Sequence, residues 1–165
     1  KNNVFFHLAS ERLCEAGFEH YEVTNFALPG YHSRHNTSYW RQKPYIGLGP
    51  GAHSYDIVSR CWNVSNLKHY CEGWENNQPE REQEILSPTD RYNEYIMTSL
   101  RTSWGVDVRI LEEEYGTIYL RTKINWEQHL QRGNLIRSGN SIRIKEAAWL
   151  ISDAIIRDLF MLAGE

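Results

Sequence analysis

Leu13-Cys14-Glu15-Ala16-Gly17-Phe18-Glu19-His20-Tyr21-Glu22-Val23-Thr24-Asn25-Phe26 is where the chain changes its hydrophobic period. Upstream, Val4, Phe5, Leu8, Ala9, Leu13 and Ala16 recur at the spacing of one helical stripe, and Gly17 stands where a C-terminal cap belongs. Downstream, Phe18 to Phe26 is rich in aromatic and β-branched residues and reads as a strand. A helix passed into a strand through one glycine is the second half of a β-α-β unit, so a parallel sheet is expected.

Working outward, Glu22, Thr24 and Asn25 fall at the end of that strand, where α/β folds assemble their sites. Their alternative role is to satisfy loop backbone. Residues 27–44 are turn-rich (Pro29-Gly30, Ser33, Asn36, Pro44) and read as a long connection without regular structure, a kind usually functional or disordered. A short strand, Tyr45 to Leu48, leads into Gly49-Pro50-Gly51-Ala52-His53-Ser54. If extended, Gly47, Gly49 and Gly51 share one bare backbone face that something flat can approach. The same residues match a dinucleotide-binding glycine pattern, but that pattern needs a helix starting at the glycines, and the polar stretch after His53 does not supply one. Residues 59–86 read as a linker or exposed excursion, polar above all from Glu75 to Glu82.

From residue 87 to 165 the pattern is mostly helical. A helix opens at Ser87-Pro88 with Thr89 or Asp90 as cap and stops at Gly105. Helices are then expected over Val108–Tyr115 and Thr117–Leu130, a hairpin around Ser138-Gly139-Asn140, and a closing amphipathic helix from Glu146 to Leu162. Three helices, a hairpin and a helix suggest a winged-helix-like unit. Arg121, Lys123, Arg132, Arg137, Arg143 and Lys145 would form a basic stripe on it, a DNA-binding footprint in principle. Acidic flanks (Glu112, Glu113, Glu114, Asp153, Asp158) cancel the stripe, which makes nucleic acid an unfavoured partner.

The chain has 165 residues, 41% hydrophobic and 24% charged, which excludes an intrinsically disordered polymer. No apolar run approaches the ~18 residues of a membrane span. It opens on Lys1-Asn2-Asn3, with neither an initiator Met nor a leader pattern, so a missing N-terminal part is expected. Cys14, Cys61 and Cys71 lack CxxC spacing, which disfavours a disulfide framework or zinc site and fits the cytoplasm.

Six of the seven histidines precede residue 75. The densest segment, His32-Ser33-Arg34-His35-Asn36-Thr37-Ser38-Tyr39-Trp40-Arg41, gathers two imidazoles, an amide, two aromatic rings and two guanidiniums. Imidazole can ligate iron, aromatic faces stack on a planar macrocycle, and Arg34 and Arg41 can pair with its carboxylates, so a porphyrin fits the set. The competing reading makes Tyr39 and Trp40 core anchors, with His35 and Asn36 bonded to the loop. Covalent heme attachment would need CxxCH, which is absent.

The words Tyr21-Glu22-Val23-Thr24-Asn25-Phe26-Ala27, His35-Asn36-Thr37-Ser38-Tyr39-Trp40 and Gly47-Leu48-Gly49-Pro50-Gly51-Ala52-His53-Ser54 occur in this order. Together they resemble the oxygen-independent coproporphyrinogen III oxidase-like radical SAM proteins, and among them the heme chaperone branch with its HNxxYW motif. Residues 87–163 resemble the C-terminal domain of the same proteins. The resemblance implies an α+β chain: residues 1–58 as the terminal strands and helix of a (β/α) barrel, 59–86 as linker, 87–165 as the helical winged-helix-like domain. It implies heme binding by His35, Asn36, Tyr39 and Trp40, and places Gly47, Gly49, Gly51, Ala52 and His53 near S-adenosylmethionine. A full-length parent would carry S-adenosylmethionine and a [4Fe-4S] cluster, and would pass heme to acceptor apoproteins. The alternative within the family is a genuine oxidase that decarboxylates porphyrinogen propionates. One departure is plain: no CxxxCxxC motif occurs, so no catalytic residue and no cluster ligand is expected in this chain. The remaining barrel portion is then an expected partner, and an exposed barrel edge would favour oligomers.

Overall fold

The computed structural model describes residues 2–162. It is a mixed helix and sheet structure in which all strand pairing, among the described residues, is antiparallel. The chain divides into two compact units, one formed by the residues up to Arg41 together with those from Tyr92 onward, the other by Gln42–Arg91.

In the first unit, α1 (Asn2–Glu15) ends at Gly17, whose φ of +85° is the left-handed conformation anticipated for its cap. The stretch from Phe18 to Phe26 is not one strand of a parallel sheet. It folds back at Val23-Thr24 into a hairpin of β1 (Glu19–Glu22) and β2 (Asn25–Ala27), with a bulge between His20 and Glu22. Beyond that turn the backbone of β1 is taken up by irregular chain: Val23 N–H donates to Arg101 O at 3.0 Å and Ser103 N–H to Tyr21 O at 3.0 Å. Residues 27–44 are not without regular structure either, since α2 (Arg34–Trp40) forms within them. A helix with no apolar stripe of its own leaves no periodic signal.

The second unit corrects the linker expected over residues 59–86. β3 (His53–Tyr55), β4 (Ser59–Asn63) and β5 (Arg81–Ile85) pair as a three-stranded meander, and α3 (Leu67–Glu75), capped by the Asn66 side chain, joins β4 to β5. β5 reads Arg-Glu-Gln-Glu-Ile and is exposed throughout, so only its register with β4 makes it a strand. The glycine segment does not run extended. Gly49 and Gly51 have φ of +106° and +70°, which curl the chain into a turn and remove the shared bare face. Strand β3, not a helix, follows the turn, which excludes the dinucleotide-binding arrangement.

α4 (Pro88–Ser99) opens with a reciprocal cap: Asp90 N–H donates to Ser87 Oγ, and Ser87 N–H donates to the Asp90 carboxylate. The cap is thus Ser87, with Asp90 answering it. After Gly105 come β6 (Val106–Asp107), α5 (Val108–Glu113), α6 (Gly116–Gln131), β7 (Leu135–Ser138) and β8 (Ser141–Ile144). A 3-10 turn over Glu146–Ile151 then leads to α7 (Ser152–Leu159). The strands order as β6-β8-β7. Tyr92, Ile96, Leu100, Leu111, Trp126, Ile142, Ile155 and Leu159 fill the core. Each such side chain removed from water contributes roughly 1.5–3 kcal/mol.

Candidate functional site

Ser33 starts α2 by accepting the Asn36 N–H on its hydroxyl at 3.3 Å, and the Arg41 N–H closes it on Thr37 O. On this one helix the spacing H-N-x-x-Y-W becomes two adjacent i, i+4 pairs. His35 and Tyr39 form the outer pair, both exposed, their rings 4.7 Å apart and edge-to-face at 87°. Asn36 and Trp40 form the inner pair, half-buried. Tyr39 is therefore not a core anchor. Two polar atoms on the inner side, Thr37 Oγ1 and Trp40 Nε1, are buried without a hydrogen-bond partner. Such groups cost stability unless something supplies the missing partner.

The ends of the motif segment are fixed on aromatic rings. Before α2, His32 stacks on Tyr21 at 4.5 Å and its Nε2 lies 2.7 Å from Glu19 Oε2. After it, the Arg41 guanidinium sits over the ring of Trp104, 5.0 Å from the centroid. Arg34 is exposed. Glu22, Thr24 and Asn25 do converge: Thr24 Oγ1 donates to the Glu22 carboxylate at 3.1 Å, and Asn25 Nδ2 donates to it as well. Glu22 itself is buried and bridges to Thr102.

A second buried group was not legible in the sequence. His20 lies between Phe26, stacked at 3.9 Å, and Trp149, edge-on at 4.1 Å. Its Nε2 is 3.3 Å from Val23 O and its Nδ1 3.4 Å from Ser10 Oγ, which donates to Glu146 at 2.9 Å. Burial holds its pKa below the usual 6.5, outweighing the Val23 carbonyl and the Glu146 and Glu22 carboxylates, which pull the other way.

In the second unit the glycine turn spends its own amides. Gly47 N–H donates to Ser54 Oγ, Gly49 N–H to the Tyr70 hydroxyl, Gly51 N–H to Val64 O and Ala52 N–H to Gly49 O. The Asn63 amide donates back to the carbonyls of Gly47 and Gly49. The turn is therefore no amide cradle for an anion. Its open feature is Gly49, around whose missing Cβ no atom lies within 4 Å. His53 is exposed, its ring tilted against Trp62 at 5.6 Å.

Cys14 on α1 and Cys71 on α3 are exposed and Cys61 on β4 is half-buried, all three as free thiols. Among the described residues no group of three or more His, Cys, Asp or Glu side chains is arranged to hold a metal. No described helix is long and apolar enough to cross a membrane. Of the basic side chains between residues 121 and 145, Lys123 lies 4.0 Å from Glu127 on its own helix, and Arg137 Nε donates to Gly139 O.

No family model matches the chain. Its sequence is 34% identical over 115 residues to the heme chaperone HemW of Lactococcus lactis, an overlap covering 70% of this chain and 30% of that protein. It is 39% identical over 105 residues to the heme chaperone HemW of Synechocystis, covering 62% and 26%. The chain thus spans less than a third of the length of these relatives. In fold it is similar to the solved structure of coproporphyrinogen III oxidase (HemN) from Escherichia coli, described as a radical SAM enzyme, with a TM-score of 0.69 at 14% identity over 94% of this chain and 40% of that one. Fold and sequence together set the chain among the HemN/HemW-like radical SAM proteins. Within that class its sequence is similar to the HemW heme chaperones over the part of their length that it shares.

Proposed function

We propose that this chain handles heme as part of a HemW-like heme chaperone, holding the macrocycle against α2 and surrendering it to an acceptor apoprotein. The observation that carries the reading is the placement of the motif on one short helix, with His35 and Tyr39 turned to solvent as a pair. An exposed imidazole can reach the iron of a heme cargo, and an adjacent phenol ring offers an apolar face to the macrocycle. Asn36 and Trp40 stand behind them, and the orphaned Thr37 Oγ1 and Trp40 Nε1 fit a surface completed on binding. A cargo site on an exposed helix also suits release, because little has to open for the ligand to leave.

The glycine segment is read as the S-adenosylmethionine-facing element of a longer protein. The open Cα face of Gly49 supports it, with Gly47, Gly51, Ala52 and His53 shaping the turn. The described residues do not fit an iron-sulfur cluster, since their three thiols lie on three different elements and no metal-holding group forms. No radical step is therefore assigned to this chain. In this reading the cluster and most of the barrel belong to the remainder of the longer protein, and that remainder covers the exposed Val4, Phe5 and Leu8 of α1. A second copy meeting the same apolar face would give the oligomer expected of an exposed barrel edge. Residues 1–58 then contribute the barrel's end, and the order α4-β6-α5-α6-β7-β8 supports a winged-helix-like second domain. The free thiols agree with a cytoplasmic setting.

The likeness of fold to HemN favours one second reading, oxidative decarboxylation of coproporphyrinogen by the longer protein. The test is titration of hemin into the purified chain and its His35→Ala variant, followed at the Soret band. Saturation near one equivalent, weakened about tenfold or more by the substitution, is the expected result, a tenfold loss corresponding to ~1.4 kcal/mol. Identical titrations of the two proteins would sink the chaperone site, and turnover of coproporphyrinogen by a longer protein would then favour the oxidase.

A further inference from the structure

Trp104 lies outside every motif of the sequence, yet both ends of the motif segment meet around it. His32, two residues before α2, has its ring centroid 5.8 Å from that of Trp104, and the Tyr21 ring on which His32 stacks is 6.2 Å from it. Arg41, one residue after α2, places its guanidinium 5.0 Å over the same indole. The backbone that carries the indole is held on two sides. Ser103 N–H donates to Tyr21 O at 3.0 Å, Val23 N–H donates to Arg101 O at 3.0 Å, and Ser141 Oγ donates to Trp104 O at 2.5 Å. Segment 101–104 is therefore tied to the β1–β2 hairpin on one side and to β8 on the other.

A guanidinium lying on an indole face keeps its in-plane N–H groups free for a second partner, because the ring uses only the face of the cation. Those N–H groups form a planar fork suited to a carboxylate. Arg41 is exposed at the C-terminal end of α2, two residues beyond Tyr39.

We propose that Trp104 is a positioning residue that holds Arg41 edge-outward beside the motif helix, so that Arg41 binds a carboxylate of the porphyrin while His35 and Tyr39 meet its iron and ring. The proposal rests on the heme reading of α2. It adds a recognition element for the charged rim of the ligand, supplied jointly by the end of the motif segment and by the turn after α4. A free, unanchored arginine at this place would give up several rotatable bonds on binding; the indole has already fixed them.

The experiment uses hemin and hemin dimethyl ester, which has the same iron and macrocycle but no carboxylate, on the full chain and on Arg41→Gln, Trp104→Ala and Trp104→Phe. Arg41→Gln and Trp104→Ala are expected to bind hemin about tenfold more weakly than wild type, as loss of a charged hydrogen bond implies. Their affinity for the dimethyl ester should equal that of wild type, with the Soret maximum unmoved. Trp104→Phe, which keeps an aromatic face, should recover most of the loss. Equal losses for both ligands would reduce Trp104 to a folding role and overturn the proposal, as would hemin affinities unchanged in Arg41→Gln. Should the wild-type chain bind neither ligand saturably, the heme reading of α2 fails and this inference with it, whereas a His35-dependent site indifferent to Arg41 leaves that reading standing alone.

Discussion

His20 shows how one side chain can make a fold sensitive to pH. A neutral imidazole that donates Nε2–H to Val23 O keeps a lone pair on Nδ1, and the single Ser10 hydrogen goes to Glu146 rather than to that lone pair. Protonation would give Nδ1 a hydrogen to share with Ser10 and Glu146, 3.6 Å away, but the aromatic walls of Phe26 and Trp149 make the cation costly, and burial prevails. The folded pKa is thus below 6.5 while the unfolded chain titrates at about that value. The unfolded state then binds the extra proton first, so this contribution to stability is complete above pH 6.5 and is lost as the pH falls toward the lowered value. Urea melts between pH 5.5 and 8 should show the midpoint declining below pH 6.5. In His20→Phe, which suits the Phe6, Phe26 and Trp149 surroundings, that decline should flatten; an unchanged slope would assign the titration to another group.

Tyr92 of α4 does for three helices what His20 does locally. Its hydroxyl donates to Leu159 O at 3.1 Å, lies 2.7 Å from Thr122 Oγ1 and accepts from Trp126 Nε1 at 3.3 Å, so α4, α6 and α7 meet on one buried oxygen. The same burial raises its pKa above the ordinary 10.0. Tyr92→Phe takes this partner from Leu159 O and Trp126 Nε1, while Thr122 Oγ1 keeps the carbonyls of Ile118 and Tyr119, and it should cost about 1–3 kcal/mol, read as a lower urea midpoint with an unchanged slope. Gly105 is a sharper case. Its φ is +68° and a Cβ there would run into the backbone of Ile142 and the side chain of Arg143, so Gly105→Ala should cost on the order of 1–3 kcal/mol in backbone strain before any clash. Substitution without a measurable fall in stability would show that the turn can reshape. Elements like these were legible because their signals are local: the Ser87-Pro88 opening of α4, the Gly105 stop, and the turn residues of the β7–β8 hairpin. α2 and β5 were not, because neither has an apolar face, and each exists through capping or register that only the folded chain supplies. The candidate site follows the same divide. His35, Asn36, Tyr39 and Trp40 were found as a word, but their division into an outer and an inner pair, and the part played by Trp104, depend on contacts between stretches some 65 residues apart in number.

Across the molecule, burial is distributed very unevenly. The continuous core, from Tyr92 to Met161, belongs entirely to the first unit, whereas the second unit buries only Tyr55 and Leu86 among its hydrophobic residues. Meanwhile Ile46, Leu48 and Ile85 of that unit are 80%, 85% and 72% exposed. A three-stranded meander with one exposed edge strand and so little apolar burial has little to offset the entropy of ordering its backbone. Opening should therefore be graded. In native-state hydrogen exchange, the amides of β3, β4 and β5 should exchange through openings of far lower free energy than those of α4, α6 and β8, whose protection should approach that of global unfolding. Limited proteolysis should likewise cut first between Gln42 and Arg91. The glycine turn lies in this unit, so a ligand that docks on it should slow exchange there while leaving the helical core unchanged, by the mass-action stabilisation of the state that binds. Equal protection in the two units would contradict this ordering, and would mean that the meander draws stability from a source other than its own buried apolar surface.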